Sequence, residues 1–175
     1  MKRVTITLMF CTSLLLAAIP VPNQIKANFI QTVVNSENNQ TLKYSGSVYF
    51  SLPNSTKWIY KEPIKKIICL METKALVIEP ELEQVTLFRL NKAIPVLKIL
   101  KRAKEIDAQK YSAKFNGIKY TIYTDKSNLV KKIEYIDELS NLVTISLKNI
   151  DTKPLKKSSI ECKIPDDYDI IDGRY

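Results

Sequence analysis

Hydrophobic and polar residues alternate along residues 44–90, a pattern that is typical of antiparallel strands with one buried face. In the first such segment, Val48, Phe50 and Leu52 share one face of the predicted strand, and serines occupy most of the other face. Turn residues or prolines separate this segment from those that follow. The strands predicted here are, in chain order, Leu42–Leu52, Thr56–Lys61, Lys66–Met71, Ala75–Ile78 and Gln84–Leu90.

The segment before these strands has an ambiguous pattern. Ile25, Phe29 and Val33 fall at helical spacing, yet residues 28–34 are rich in β-branched and aromatic residues and contain no Ala, Leu or Glu. We predict a first strand at about Phe29–Val34, joined by a polar turn to the next strand. Any helix before it would be short.

A helical pattern follows the first set of strands. Apolar residues recur at helical spacing from Ala93 to Leu100, with basic residues on the opposite side. This spacing predicts an amphipathic helix that begins close to Pro95 and continues to about Glu105. The helix is the candidate cover for the apolar face of the sheet, although an ordinary core helix would have the same periodicity.

Alternating patterns resume at Tyr111 and predict a second set of strands. Asn116-Gly117 between two of them is a strong signal for a two-residue hairpin turn. The tail at 164–172 supplies a final short strand. The other predicted strands are Tyr111–Phe115, Ile118–Thr124, Val130–Ile136, Leu142–Asn149 and Ser159–Lys163. Without an internal repeat or a low-complexity linker, these elements predict one domain over residues 19–175.

The positive charge of the chain does not indicate a nucleic-acid-binding protein. The formal net charge is +9, but the basic residues are scattered singly or in pairs, and no recognisable RNA- or DNA-binding motif is present. We therefore expect solvated basic faces and no nucleic-acid partner. A generally basic surface still favours anionic head groups or an acidic partner.

The residue types that support catalysis are scarce. The chain contains no His, only three Cys without a zinc-ligand spacing, and only three Gly, so neither a metal site nor a phosphate-binding loop is expected. We expect no cofactor and no enzymatic activity. This absence favours a binding or carrier role.

The N-terminus has the pattern of a secretory signal peptide. Lys2 and Arg3 precede an apolar run that ends at Ala18, too short to be a typical spanning helix. Cleavage after Ala18 is the favoured interpretation. A later cut at Ala27 and an uncleaved anchor are the alternatives. Removing residues 1–18 takes away these two basic residues and no acid, which lowers the net charge from +9 to +7.

Export places the remaining cysteines in an oxidising compartment. Cys69 and Cys162 would be the only two thiols left after cleavage. They form a disulfide if the end of the chain lies near the Cys69 strand, and otherwise they are two buried free thiols.

Several ordered sequence pieces resemble the LolA family, the periplasmic carriers of outer-membrane lipoproteins. Glu79–Thr86, with Glu-Gln after a proline, is the most specific of them. Together they span most of the mature chain, from Asn28 to Asp172. The pieces are Asn28–Val33, Pro53–Trp58, Glu62-Pro63, Glu79–Thr86 and Ile164–Asp172.

The resemblance implies an α+β, mainly β fold: an incomplete, strongly curved antiparallel β-barrel with a helical lid over its concave apolar face. It also implies a monomer in the periplasm of a Gram-negative bacterium. The cargo would be a lipoprotein released by an inner-membrane ABC transporter and delivered to an outer-membrane acceptor.

The resemblance further implies that an apolar cavity between sheet and lid binds the acyl chains of the cargo. The same residues would be expected in an ordinary closed core. The residues assigned to this cavity are Val48, Phe50, Leu52, Trp58, Tyr60, Leu70, Leu87, Val96, Leu97 and Leu100.

The sequence departs from the family at the position before Pro53. The family commonly has an Arg there that holds the lid closed, whereas this chain has Leu52. Either packing alone holds the lid, or another residue such as Arg89 substitutes. The departure also motivates an alternative function, a general periplasmic lipid or glycolipid carrier. An exported structural module and, more remotely, a hydrolase are further alternatives.

Overall fold

The computed structural model describes residues 19–53, 55–71, 73–89 and 96–173. The predicted signal peptide lies outside these ranges. The strands are β1 (Gln24–Val34), β2 (Thr41–Ser51), β3 (Ser55–Glu62), β4 (Lys66–Met71), β5 (Lys74–Glu79), β6 (Gln84–Arg89), β7 (Lys104–Asp107), β8 (Lys110–Phe115), β9 (Ile118–Thr124), β10 (Val130–Ile136), β11 (Leu142–Asp151) and β12 (Asp169–Asp172). The helices are α1 (Val96–Arg102), α2 (Lys157–Ile160) and a 3-10 turn at Pro80–Leu82. Among the helices in the described ranges, none has the length and apolar character needed to cross a membrane.

All twelve strands belong to one sheet, in the order β12-β6-β5-β4-β3-β2-β1-β11-β10-β9-β8-β7. Neighbours are antiparallel except β12 and β6, which are parallel. The central strand β1 pairs with β2 on one side and β11 on the other. Since β7 and β12 are the two edges, the sheet is not closed into a barrel.

The sheet must curve, because the chain connection from β6 to β7 is too short to span a flat sheet. Ten strand-to-strand steps separate β6 from β7, which is about 48 Å in a flat sheet. Residues 90–103 join these strands. The seven residues of α1 span about 10 Å, and seven further residues reach at most about 24 Å. The fold is therefore a curved, mainly β sheet with few helices, as predicted.

Strand pairing defines two faces of this sheet. Phe29 pairs with Gly46 and Leu147, and these residues mark what we call the Phe29 face. Cys69 pairs with Lys57 and Leu76, and these mark the Cys69 face. Buried apolar clusters form on both faces, centred on Phe29 in β1, on Ile122 in β9, and on Cys69 in β4.

The Phe29 face is the concave one. Burial, and then the phenols of Tyr135 and Tyr44, raise the pKa of Tyr60 to about 12. Tyr60 is on β3 and Tyr135 on β10, four strand-to-strand steps apart, or about 19 Å in a flat sheet. The interaction between groups that far apart would be weak, so we infer that the sheet curves toward this face and brings the two phenols closer together.

The C-terminal part of the chain covers the Cys69 face at strands β3 to β6. Cys162 forms a disulfide with Cys69, and Tyr168 packs on the same cluster. The Lys57 ammonium donates a 2.7 Å hydrogen bond to the carbonyl oxygen of Glu161. Of the two alternatives for the cysteines, the disulfide is the one observed.

The predicted elements differ from the structure in three places. The predicted strand at Ser159–Lys163 is wrong, since α2 occupies Lys157–Ile160 and an irregular segment carries Cys162 to the disulfide. The helix ends at Arg102, and the polar edge strand β7 follows it. Strand β1 begins at Gln24, earlier than predicted.

The hairpin predicted at Asn116-Gly117 is confirmed. Both residues have positive φ, 47° and 82°, between strands β8 and β9. Two successive positive φ values give the turn a twist that matches the flanking strands.

Candidate functional site

The Phe29 ring is the centre of the concave face. Phe29 is 1% exposed, and its ring lies edge-on to Trp58 and to Tyr60, with a centroid distance of 4.9 Å in each case. Gly46 makes room for the ring: a Cβ there would lie 2.8 Å from Phe29 Cε1 and would collide with the carbonyl oxygen of Ile59. The absence of a side chain at Gly46 therefore allows the aromatic cluster to form.

A row of partly buried apolar side chains extends from this centre across strands β2 to β6. Its members are joined by cross-strand pairing and therefore share one face. They are Phe50, Trp58, Ile68, Leu70, Val77 and Phe88. Side chains in such a row retain part of their apolar surface in contact with solvent or with a ligand.

Most of the sheet residues predicted for the cavity lie in or beside this row. Val48 is 6% exposed and packs against Phe29. Phe50, Trp58, Tyr60 and Leu70 are on the Phe29 face and partly buried. Leu52 lies in the turn after β2 and is also partly buried.

Leu87 lies on the opposite face and is a correction to the predicted set. It pairs with Leu76 and packs on the cluster around Cys69. Its neighbour Phe88 points to the Phe29 face instead, because adjacent residues in a strand alternate between faces. The sequence of a strand with apolar residues on both faces does not reveal which of them lie on the concave Phe29 face. We call the space enclosed by that face the hollow.

Helix α1 packs at the β8–β9 end of the concave face. Leu100 is 7% exposed and belongs to a cluster with Tyr111 and Ile122. Val96 and Leu97 begin the helix, but their side chains lie outside what the structure describes. Ile19, at the start of the described chain, joins the same cluster and is 2% exposed.

A set of polar and aromatic side chains borders the hollow on the side nearer to the β1–β2 turn. We call it the polar belt, and it consists of Gln31, Tyr44, Tyr60, Lys66, Tyr120 and Tyr135. Of these residues, only Tyr60 is predicted for the site from the sequence. The alternation of β1 and β10 contained the signal for two of the others, since Gln31 follows Phe29 on the same face and Tyr135 follows Ile133.

Hydrogen bonds and ring contacts connect the belt. The Tyr60 hydroxyl donates to Gln31 Oε1 at 2.9 Å. Lys66 Nζ lies 4.9 Å from the centroid of the Tyr60 ring and 5.7 Å from that of Tyr44. Tyr120 and Tyr135 contact each other at 5.1 Å between centroids.

A cavity of about 320 Å³ lies on the other side of the sheet from the hollow. Its lining includes Asn28, Ser45, Lys61 and Lys148, which alternate with the residues of the Phe29 face. Phe29 and Gly46 also line it, but none of the six side chains of the apolar row does. The part of the chain that the structure describes contains no group of three or more metal-ligating side chains.

The chain is similar to several proteins that are all named outer-membrane lipoprotein carrier protein. A family model described as "Outer membrane lipoprotein carrier protein LolA" matches residues 22–114. An "Outer-membrane lipoprotein carrier protein" of Helicobacter hepaticus is 36% identical over 126 residues, 72% of this chain and 70% of that protein. The protein of the same name from Campylobacter jejuni is 35% identical over 150 residues, 85% of this chain and 86% of that protein.

The fold also has a counterpart among solved structures. An uncharacterized conserved protein from Thermus thermophilus matches with a TM-score of 0.57 at 10% identity, over 87% of this chain and 91% of that chain. At this low identity the likeness concerns the fold alone.

Proposed function

The chain belongs to the LolA family of outer membrane lipoprotein carrier proteins, as its motifs predicted, and on this premise we propose that it binds the acyl chains of lipoproteins in the hollow of its curved sheet. The observation that carries the proposal is the row of partly buried apolar side chains on the concave face, from Phe50 in β2 to Phe88 in β6.

The free energy of binding would come from apolar contact. Burial of a methylene group contributes about 0.8 kcal/mol, so an acyl chain in the hollow is strongly favoured over one in water. Apolar contacts are not directional, which suits a carrier that must also release its cargo. Binding alone, without covalent chemistry or a cofactor, is sufficient for this function.

We propose that α1 is the movable cover of the hollow. Leu100 anchors it to Tyr111 and Ile122 at the β8–β9 end, and Val96 and Leu97 precede Leu100 by one helical turn. Arg89 is exposed and pairs with Lys74, which places it on the Cys69 face and away from the hollow. This position supports the first alternative, in which packing of α1 alone would hold the lid.

The proposed route follows from the predicted signal peptide, residues 1–18. The mature domain, residues 19–175, would act in the periplasm of a Gram-negative bacterium as a monomer. It would receive lipoproteins from an inner-membrane releasing ABC transporter and deliver them to an outer-membrane acceptor.

A binding and release experiment tests this function. The purified mature protein should bind a tripalmitoylated cysteinyl lipopeptide and should release a lipoprotein from spheroplasts in soluble form. Leu70→Ser should weaken lipopeptide binding about five- to tenfold, because it removes apolar surface from the hollow. Leu139→Ser is the matched control, since Leu139 lies at a hairpin turn with 80% of its surface exposed.

Folded protein that neither binds the lipopeptide nor releases a lipoprotein would contradict the proposal. Mass spectrometry of the ligand that co-purifies with the protein distinguishes the alternative. Phospholipid or glycolipid in place of lipoprotein would identify a general lipid carrier on the same scaffold.

A further inference from the structure

The polar belt contains hydrogen-bond donors without acceptors. Lys66 Nζ lies over two tyrosine rings, and among the described residues neither an acidic side chain nor a hydrogen-bond acceptor pairs with it. Gln31 uses its Oε1 to accept from Tyr60. In the described ranges the Nε2 of Gln31 has no partner, so its two N–H groups are available.

Lys66 and Gln31 lie on the concave face, beside the apolar part of the hollow. Trp58 pairs with Val48 and with Ile68 on the apolar side of Phe29. Lys66 pairs with Tyr60, which spans from the Phe29 ring to Gln31. The concave face is therefore apolar on one side of Phe29, and on the other side it presents an ammonium group and an amide.

This division matches the two ends of an acylated lipid. The alkyl chains need apolar surface, whereas the ester and amide carbonyls or the phosphate at the head need donors when they leave water. Aromatic rings attract an ammonium group electrostatically, so Lys66 is stabilised in this position without an acidic partner. A hydrogen bond from a charged donor is also stronger than one between neutral groups.

We propose that the polar belt is the head-group subsite of the carrier, with Lys66 and Gln31 donating to oxygen acceptors at the head of the bound lipid. This inference rests on the proposed function and adds a specificity element to it. Two sources provide the shared chemistry: the carbonyl oxygens of an acylated glyceryl-cysteine and the phosphate of a phospholipid.

The test compares three probes on the mature protein. A tripalmitoylated cysteinyl lipopeptide presents carbonyls without a lipid phosphate, phosphatidylglycerol adds a phosphate, and a pyrene-labelled alkane has no head group. Lys66→Met keeps the length of the side chain and removes the charge. Its control is Lys61→Met, which removes an exposed lysine on the opposite face.

Lys66→Met should weaken binding of at least one of the two lipids about tenfold, the usual effect of losing a hydrogen bond to a charged group, and should leave alkane binding within about twofold. A loss for the lipopeptide assigns the belt to carbonyl oxygens, and a loss confined to phosphatidylglycerol assigns it to a phosphate. Lys61→Met should bind all three probes as the wild type does. Tyr60→Phe is the second variant: it removes the hydroxyl that donates to Gln31 Oε1, and it should weaken binding of the same lipid that Lys66→Met affects.

Two results would overturn the inference while the carrier function stands. One is unchanged binding of both lipids by folded Lys66→Met. The other is an equal loss for lipids and alkane, which would mean that Lys66 supports the hollow as a whole. If the wild-type protein binds none of the acylated probes, the proposed function itself fails.

Discussion

At the scale of single residues, the concave face depends on one glycine. The carbonyl oxygen of Ile59 and the Phe29 ring occupy the space beside Gly46, and Phe29 in turn contacts Trp58 and Tyr60. A side chain at position 46 would therefore displace backbone as well as an aromatic ring. The local sequence, a glycine between two serines, gives no indication of this contact, because it depends on which strands pair.

Gly46→Ala should lower the free energy of unfolding by about 2–3 kcal/mol, the usual cost of overpacking a filled site. Urea denaturation of the mature protein measures this change. Ser45→Ala is the control, since the neighbouring residue lies on the other face and the substitution adds no atoms. A Gly46→Ala protein as stable as the wild type would show that β2 and β3 separate easily at this point.

At the scale of elements, the alternation of apolar and polar residues predicted the strands well. It failed where a contact distant in sequence, and not the local pattern, sets the conformation of the chain. Strands β4, β9 and β10 have the predicted bounds, because each has an apolar and a polar side or is flanked by clear turns. The segment at 159–163 carries Cys162 to Cys69 in an irregular conformation. Its position is set by a disulfide 93 residues away in sequence, which local periodicity does not record.

The same disulfide explains the correction at Leu87. Strands β4 to β6 are apolar on both faces because the C-terminal segment covers one of them and the hollow lies on the other. From the sequence, Leu87 and Phe88 are equally good candidates for the hollow. Only pairing with β5 assigns Leu87 to the Cys69 cluster.

Loss of the disulfide should release the C-terminal segment from the sheet. Crosslinking across 93 residues lowers the entropy of the unfolded chain by an amount equivalent to about 4–5 kcal/mol at 25 °C in the chain-entropy model. Cys162→Ser should therefore lower the melting temperature and increase hydrogen exchange around Cys162 and Tyr168. The hollow is on the other face, so lipopeptide binding should persist below the melting transition.

Wild-type protein treated with a reductant is the matched control and should resemble Cys162→Ser. If the oxidised wild type and Cys162→Ser had the same melting temperature, the disulfide would contribute nothing beyond the packing of Tyr168 and the hydrogen bond from Lys57.

At the scale of the whole molecule, curvature brings together residues that are distant both in sequence and along the sheet. Tyr60 and Tyr135 lie on strands four steps apart, yet the phenol of one raises the pKa of the other. The family resemblance implied a curved sheet, and the short connection from β6 to β7 requires one. Neither fact identified the tyrosines that face each other across the hollow.

This juxtaposition predicts how stability depends on alkaline pH. Burial, followed by the phenols of Tyr135 and Tyr44, raises the pKa of Tyr60 from 10.0 to about 12. Between these values the unfolded chain has lost the proton that the folded protein still holds, so the free energy of unfolding must fall as the pH rises. Tyr60→Phe should remove this part of the alkaline destabilisation, as measured by urea denaturation on either side of the window.

Tyr135→Phe tests whether the phenol of Tyr135 raises the pKa of Tyr60 across the hollow. Without the phenol on β10, the pKa of Tyr60 should decrease, because one of the charges that opposes its ionisation is gone. Phenolate absorbance, compared with that of Tyr135→Phe/Tyr60→Phe, isolates the titration of Tyr60. Tyr49→Phe is the control, since Tyr49 pairs with Lys57 on the Cys69 face. If Tyr60 titrates identically in Tyr135→Phe and in the wild type, the two phenols are too far apart to interact across the hollow.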